Sequence, residues 1–588
     1  MSKQTTKRSY STVRTNTFKG IDCRTFSEEG TCMEMNNFRI VDQQIIEKRE
    51  GYKWLMTLPG TPTATWRGNY EGDESIFVLI GNVIYCIEYQ FDSFFIIGTV
   101  GETSTHACFF MIEDKLCLFN GTNIYSVSSS SGIKAIQGYV PLYGNGWSSG
   151  SVGEVYEPKN ILSNHIRIRY VVKDMSRLIR FGQKAVSVDF IRYNSREYTA
   201  ETIKEAGGQI LEDMSGIEFT SMRYGDTVEV FLTVKHDTDL VAQLASCNRS
   251  EVFGNAGDTR AFCWSEKNKS AKMFYSKNPT VGEIEKYASV YPGTDKVYFP
   301  DTYILNFGDG GSPIKAACRY GDRLVVFTEE STWSADFSST SKNEIRISPL
   351  CASVGCSGDG TAATNEDVLI TVSSSGVYLL TKKTSTSICQ IANISKPIEA
   401  LLPEGFYTDA ISIYDRERDE CWFCLPYDTD GRVWVYNMSL NAWYTFTGIG
   451  ATAFVLYDGK VGFFRERQLF VFNPSLKADY DRVNASTRVY TIEASYVGKY
   501  SDFGSAERLK RLGRIYLSCK TDGGTVDLSA QDEHGNSVFA SLRGTRSNSP
   551  EFYEIRTRSG RFRYLRMSIS CPGEERQQIY SLSVTSKY

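Results

Sequence analysis

A short pattern returns along this chain, and it restricts the fold more than any single residue does. An apolar run of four or five residues meets a turn, and a second run carrying an aromatic follows. The copies are Ile76–Glu88, Lys115–Val127, Arg323–Trp333, Asp367–Leu380 and Lys460–Phe472. Each reads as a β-hairpin from its apolar runs and turn residues. Adjacent copies lie about 40 to 50 residues apart, the spacing of propeller blades. A blade cannot bury its faces alone, so several must stack around an axis. The expected fold is all-β, a β-propeller of six or seven blades. Function must then be argued from what that scaffold carries.

The composition fits this reading. Tyr and Phe dominate an aromatic share of 13%, Gly is frequent at 48 residues, and Pro is scarce at 15. Gly serves turns and aromatics suit pleated faces. A formal net charge of −4 over 588 residues gives no support to chain-wide gripping of nucleic acid. Gly81-Asn82 interrupts the largest apolar stretch, so no membrane-spanning segment is expected. The polar opening MSKQTTKRSYST lacks an apolar signal core, which predicts synthesis and folding in a cytoplasm.

Catalytic and metal chemistry find little footing. The fifteen cysteines are scattered, many within strand-like runs such as Cys86, Cys117, Cys263, Cys389, Cys519 and Cys571. They read as small buried apolar residues in a reducing compartment. Cys421 and Cys424 resemble a metal or redox pair, but on a strand their side chains point to opposite faces. Cys351 and Cys356 flank a Gly/Ser loop and read as structural too. The histidines His106, His165, His236 and His534 show no ligand or triad spacing. Asp428-Thr-Asp-Gly431 starts like a calcium loop, but Ser439 stands where that loop needs Glu. An Asp-Gly turn explains it better. No Gly-rich loop has the phosphate-binding Lys-Ser/Thr ending. No cofactor and no enzymatic activity are expected, although two distant carboxylates of a glycosidase could escape a sequence reading.

The blade period breaks once. Between about 140 and 245 come alternating runs, Ile166–Val172, Ala185–Ile191 and Thr227–Thr233, which read as an inserted β-sandwich. Thr202–Ala206 reads as one helical turn closed by Gly207-Gly208. The expected organisation is an N-terminal arm over 1–17, propeller over 18–140, the insert over 141–245, propeller again over 246–485, and a C-terminal β-sandwich over 486–588. Phe38–Arg49 reads as a hairpin that closes the ring on the blade holding Phe463–Phe472. Gly51 reads as a turn residue.

The opening carries Gly20-Ile-Asp22, then Asn36-Asn-Phe-Arg-Ile40, a hairpin, and Lys48-Arg-Glu-Gly-Tyr52. Further on come Gly308–Ile314 before Tyr320–Phe327 and Thr332-Trp333, and Arg432–Tyr436 before Asn441–Tyr444. In this order the motifs resemble the β-propeller tail hub or nozzle proteins of short-tailed bacteriophages, in patches over residues 18–475. The resemblance implies a structural virion protein of the tail, made in the bacterial cytoplasm. It implies a ring of identical subunits, a hexamer, continuing the portal channel. It also implies contacts with portal or adaptor proteins and with tail fibres or appendages, and transient passage of viral double-stranded DNA. The arm and the insert are candidates for subunit contacts, and Ser128–Gly132 and Ser338–Ser341 for gates.

From residue 488 onward there are 16 Lys and Arg against 11 Asp and Glu, so the rest of the chain is acidic. The candidate partner contacts are Arg508, Lys510, Arg511 and Arg514 in one cluster, and Arg556, Arg558, Arg561 and Arg563 in another. Solvated faces of alternating strands account for both clusters. The sharper reading is an electrostatic dock for an acidic neighbour. Nucleic acid is disfavoured because the same stretch displays no evident stacking platform. The rival to the tail-conduit reading is a tail-borne propeller that binds or cleaves glycans, with Trp147 or Trp443 as platforms. A cytoplasmic interaction propeller explains the blades but not the opening motifs.

Overall fold

The runs that are apolar without interruption, such as Ile76–Leu79, are strands buried on both faces, as blades stacked on each side require. Asp73–Ile80 pairs antiparallel with Val83–Glu88 across a two-residue turn, Ile80 opposite Val83. Gly81 takes a left-handed φ of 60° there, a conformation cheap only for glycine. The computed structural model describes residues 10–25, 27–41, 44–89, 92–102, 107–112, 114–128, 132–146, 155–173, 176–255, 258–265, 270–279, 284, 287–337, 345–358, 362–364, 368–382, 389–483, 486–547, 549–557 and 559–588. The chain divides into two compact units, Pro62–Pro349, and Met1–Thr61 together with Leu350–Tyr588.

Among its described residues the first unit holds four sheets of four strands, each crossed in chain order. They begin at Ala64–Tyr70, Cys108–Ile112, Arg249–Asn255 and Ile314–Tyr320. Neighbouring sheets share cores. Phe77 and Leu79 pack with Leu116 and Leu118. Phe110 and Cys117 pack with Cys263 and Phe274. Phe262 and Met273 pack with Leu324 and Val326. Between the second and third sheets lies the insert. A five-stranded sheet built on His165–Val171, Ala185–Tyr193 and Thr227–Val234 faces a three-stranded one. Ile166, Ile168, Val228, Val230 and Leu232 fill its interior with Ile179, Phe181, Ile217 and Phe219. Thr202–Ala206 is one short 3-10 helix stopped by Gly207 at φ 76°. The helix Thr238–Ala245 follows, its start capped by the Asp237 carboxylate on the Leu240 N–H; the sequence reading missed it.

Among the described residues the second unit adds three further blades of four strands, one a separate sheet and the other two continuing into a nine-stranded and a six-stranded sheet. They comprise Ala362–Asn393, Ile411–Phe446, and Ala453–Asn473 completed by a strand from the other end of the chain. The described residues thus form seven blades. The fold is a β-propeller with an inserted and a C-terminal β-sandwich. Among the described residues no helix is long and apolar enough to cross a membrane.

Two features of the second unit depart from the sequence reading. The hairpin Phe38–Val41 with Ile45–Lys48 does not pair with the last blade; its second strand joins Gln578–Lys587. The strand that completes the last blade is the next one, Gly51–Thr57, against Gln468–Asn473. Both hairpin strands are almost wholly buried, and the C-terminal sandwich supplies the cover. That sandwich also recruits Tyr10–Thr15 along Gln578–Lys587, and Cys32–Asn36 between Ala442–Phe446 and Ala494–Gly498. Part of the expected arm is therefore a strand, while residues 1–9 lie outside the described residues.

Candidate functional site: a buried ionic clasp and a basic face

The motif Lys48-Arg-Glu-Gly-Tyr52 is where the two ends of the chain are fastened. Arg39 inserts its guanidinium between two carboxylates, with Nε 2.7 Å from Glu420 Oε1 and Nη1 bonded to Glu50. All three residues are buried. Glu420 also accepts from Trp422 Nε1 at 2.9 Å and from the Tyr444 hydroxyl. Arg418 Nη2 stands 3.1 Å from Glu50 Oε1 and its Nη1 3.1 Å from Asp415. Arg49 grips Asp479 bidentately at 2.9 and 2.7 Å, and its Nε donates to Asn37. Such forked pairs satisfy planar guanidinium and carboxylate together. Arg576 and Gln578 both donate to Glu47. The network joins residues 37–50 to the Ile411–Phe446 blade, to Asp479 and to the C-terminal sandwich.

Burial pushes the Glu50 carboxyl up, but Arg39 and Arg418 more than offset this and hold it at about 2. A carboxyl whose folded value lies below its ordinary 4.5 contributes stability above 4.5 and loses it as pH falls through the folded value. Acid unfolding of this unit should therefore gain a component between pH 4.5 and about 2 that Glu50→Gln removes. A urea midpoint measured across that range checks it.

Gly51 is required by proximity. Its φ is not left-handed, but a Cβ there would sit 1.8 Å from the Ala478 carbonyl oxygen. The turn role expected for it is thus replaced by a close crossing of two backbones.

The predicted contact residues fall on the outer sheet of the C-terminal sandwich. Lys510–Lys520 runs between Gln578–Lys587 and Glu551–Arg556, with Arg514 opposite Arg556 and Arg511 opposite both Arg561 and Lys587. Cross-strand partners share a face, so the register gathers Arg511, Arg514, Arg556 and Arg561 on the outward side, where all four are exposed. Arg508 and Arg563 are exposed beside them, and Arg508 lies over the Tyr588 ring. Lys510 is a correction: it is fully buried, and its ammonium donates to the Ser505 and Arg508 carbonyls. The strand alternation turns it inward beside exposed Arg511. Arg558 lies outside the described residues.

The register also brings aromatics to this face, which sequence reasoning missed. Tyr516 and Phe552 stack at 5.7 Å between centroids, and Phe552 remains 69% exposed. Tyr10 stands opposite Lys587 and is 58% exposed, with the Lys587 ammonium 5.7 Å from its ring. Tyr10–Thr15, Lys510–Lys520, Arg561–Phe562 and Gln578–Lys587 carry no carboxylate, and Glu551–Arg556 carries two. Glu551 is occupied by Thr545 and Tyr553, and Glu554 pairs with both Arg514 and Arg556.

Other candidates resolve as structure. Trp443 is buried and donates its indole N–H to the Ile394 carbonyl at 2.7 Å, so it is no exposed platform. Trp147 lies outside the described residues, as do His106, Ser338–Ser341 and the middle of Ser128–Gly132. Cys421 and Cys424 are buried free thiols, pushed up by burial. Asp428–Gly431 forms a turn closed from the Gly431 N–H to the Asp428 carbonyl. Among the described residues no cluster of His, Cys, Asp and Glu could hold a metal. His165 approaches the Thr233 hydroxyl at 3.1 Å, but that hydroxyl donates to Asp189 at 2.7 Å. Its proton is directed to the carboxylate, away from an imidazole base. Burial holds the Glu251 carboxyl up at about 7, and Arg319 acts against it. A glycosidase needs a second carboxyl facing such a group.

No family model and no curated protein matches the chain. Among solved structures it is similar to a chain of a mitotic checkpoint complex, at 8% identity over 76% of this chain and 99% of that one, with a TM-score of 0.33. It is also similar to an exo-beta-1,3-galactanase from Phanerochaete chrysosporium, at 8% identity over 83% and 96%, TM-score 0.18. A third is apo AztD from Citrobacter koseri, at 8% identity over 70% and 93%, TM-score 0.29. Likenesses this remote bear on neither substrate nor partner.

Proposed function

We propose that this chain is a structural virion protein, the hub or nozzle of a short-tailed phage tail, assembled as a ring that continues the portal channel and conducts or retains DNA. One observation carries the reading beyond the order of its motifs. The residues through which the opening resembles that family, Asn37 to Ile40 and Lys48 to Tyr52, are the ones that clasp the start of the chain to its last blades and its C-terminal sandwich. A conduit wall under pressure from packaged DNA must resist unravelling from its ends. Buried forked guanidinium–carboxylate pairs, with the neighbouring strands laddered, suit that task. The role is mechanical: stacked blades give a stiff wall, and few sheet edges stay open to stray pairing. The subunits form the ring with themselves, meet the portal or adaptor on one side and fibres or appendages on the other, and let double-stranded DNA pass. Antibody labelling of intact particles tests the reading, with label expected along the tail axis.

A further inference from the structure

We infer that the outer face of the C-terminal sandwich is a binding platform for single-stranded nucleic acid. The inference stands independently of the tail reading. Its first support is charge. The outward side carries Arg14, Arg511, Arg514, Arg556, Arg561 and Lys587, and its outward carboxylate, Glu554, is shared by two of them. Arginine reads phosphate oxygens through two parallel N–H donors. A surface this one-sided in charge attracts a polyanion in a salt-dependent way.

The second support is the aromatic row. Tyr10, Tyr516 and Phe552 come from strands more than five hundred residues apart in sequence at the extremes, and the register sets them among the cations on one open, antiparallel sheet. Phe552, at 69% exposure, offers one ring face to solvent while the other leans on Tyr516. Lys587 over Tyr10 places a cation directly beside a ring on this face. That juxtaposition suits a nucleotide, which presents a flat base and a phosphate a few ångströms apart. Stacking on exposed aromatics is sequence-tolerant because every base has a π face. A duplex hides its bases and would use the arginines alone. An acidic protein would answer the charges but leave flat, unpocketed rings poorly covered, since interface hot spots sit in desolvated pockets.

The test is fluorescence anisotropy of labelled oligothymidylate, its RNA counterpart oligouridylate, a DNA duplex and a polyglutamate peptide, each titrated with the full chain at low salt. The single strands should bind, with an affinity that falls as salt rises. Phe552→Ala should weaken single-strand binding about tenfold, the lower-middle of the stacking range, and leave the duplex unaffected. Arg514→Ala with Arg556→Ala should weaken every oligonucleotide and flatten the salt slope. Tyr224→Ala, at an 82% exposed site on the insert, should change nothing, and unaltered melting of each variant shows that the fold is kept. DNA and RNA binding alike, or either alone, fits the platform. No binding of single strands, or binding indifferent to Phe552→Ala, overturns it. Polyglutamate binding without single-strand binding also overturns it and assigns the face to an acidic protein.

Discussion

Arg39→Met should lower the stability of the unit formed by the two chain ends by about 3–5 kcal/mol, the cost of removing one partner from a buried charge network. The substitution fills much of the space but strands Glu420 with no cation, in a site where Trp422 and Tyr444 supply only hydrogen bonds. Glu50 keeps Arg418 at 3.1 Å, so most of the penalty falls on Glu420. Arg39→Lys should recover only part of the loss, because one ammonium cannot span two carboxylates as the fork does. The natural reporter is indole fluorescence, since Trp422, Trp434 and Trp443 are all buried in this unit. Their urea midpoint should fall sharply in Arg39→Met. An unchanged midpoint would mean that the clasp contributes nothing to holding the ends.

Gly51→Ala should be at least as damaging. The added methyl would meet backbone, the Ala478 carbonyl oxygen at 1.8 Å and its carbon at 2.6 Å, and neither can turn away as a side chain could. Gly51 is also fixed by its own N–H, which donates to the Leu476 carbonyl at 3.0 Å. Relief requires the strand that completes the last blade to shift away from its neighbours, which breaks the ladder to Gln468–Asn473 and the Arg49–Asp479 fork together. The expected outcome is protein recovered in inclusion bodies, or a soluble fraction that melts well below the parent. Gly560→Ala is the control, since nothing lies within 4 Å of its Cβ position, and it should melt like the parent.

The blades were readable because a hairpin is local. Lys460–Arg465 and Gln468–Asn473 announce themselves by apolar runs across a short turn, and no distant residue is needed to find them. The clasp was not readable in the same way. Arg49 and Asp479 stand 430 positions apart, and periodicity says nothing about which distant acid a buried arginine meets. The misplacement of the Phe38–Lys48 hairpin has the same origin: its apolar alternation fixes that it is a buried pair, while its neighbour, Gln578–Lys587, is chosen by tertiary packing. Gly51 reads as a turn residue and is instead a close backbone crossing, because a glycine spared for proximity and one spared for φ look identical in sequence. The arginine clusters were visible as clusters, yet Lys510 and Arg511 differ by one strand position and so by the whole thickness of the sheet. The aromatics beside them were invisible as a platform because Tyr10 and Phe552 meet that face only through the strand order.

Where this chain sits decides the conduit reading, and antibody labelling of intact phage particles by electron microscopy measures that directly. Antibody raised against the purified 588-residue chain, detected with gold, should mark the tail axis beneath the portal, and mass spectrometry of the same particles should find the chain among their proteins. Gold confined to peripheral appendages would contradict the conduit and favour a glycan-directed propeller. Absence of the chain from denatured particles would remove it from the virion altogether.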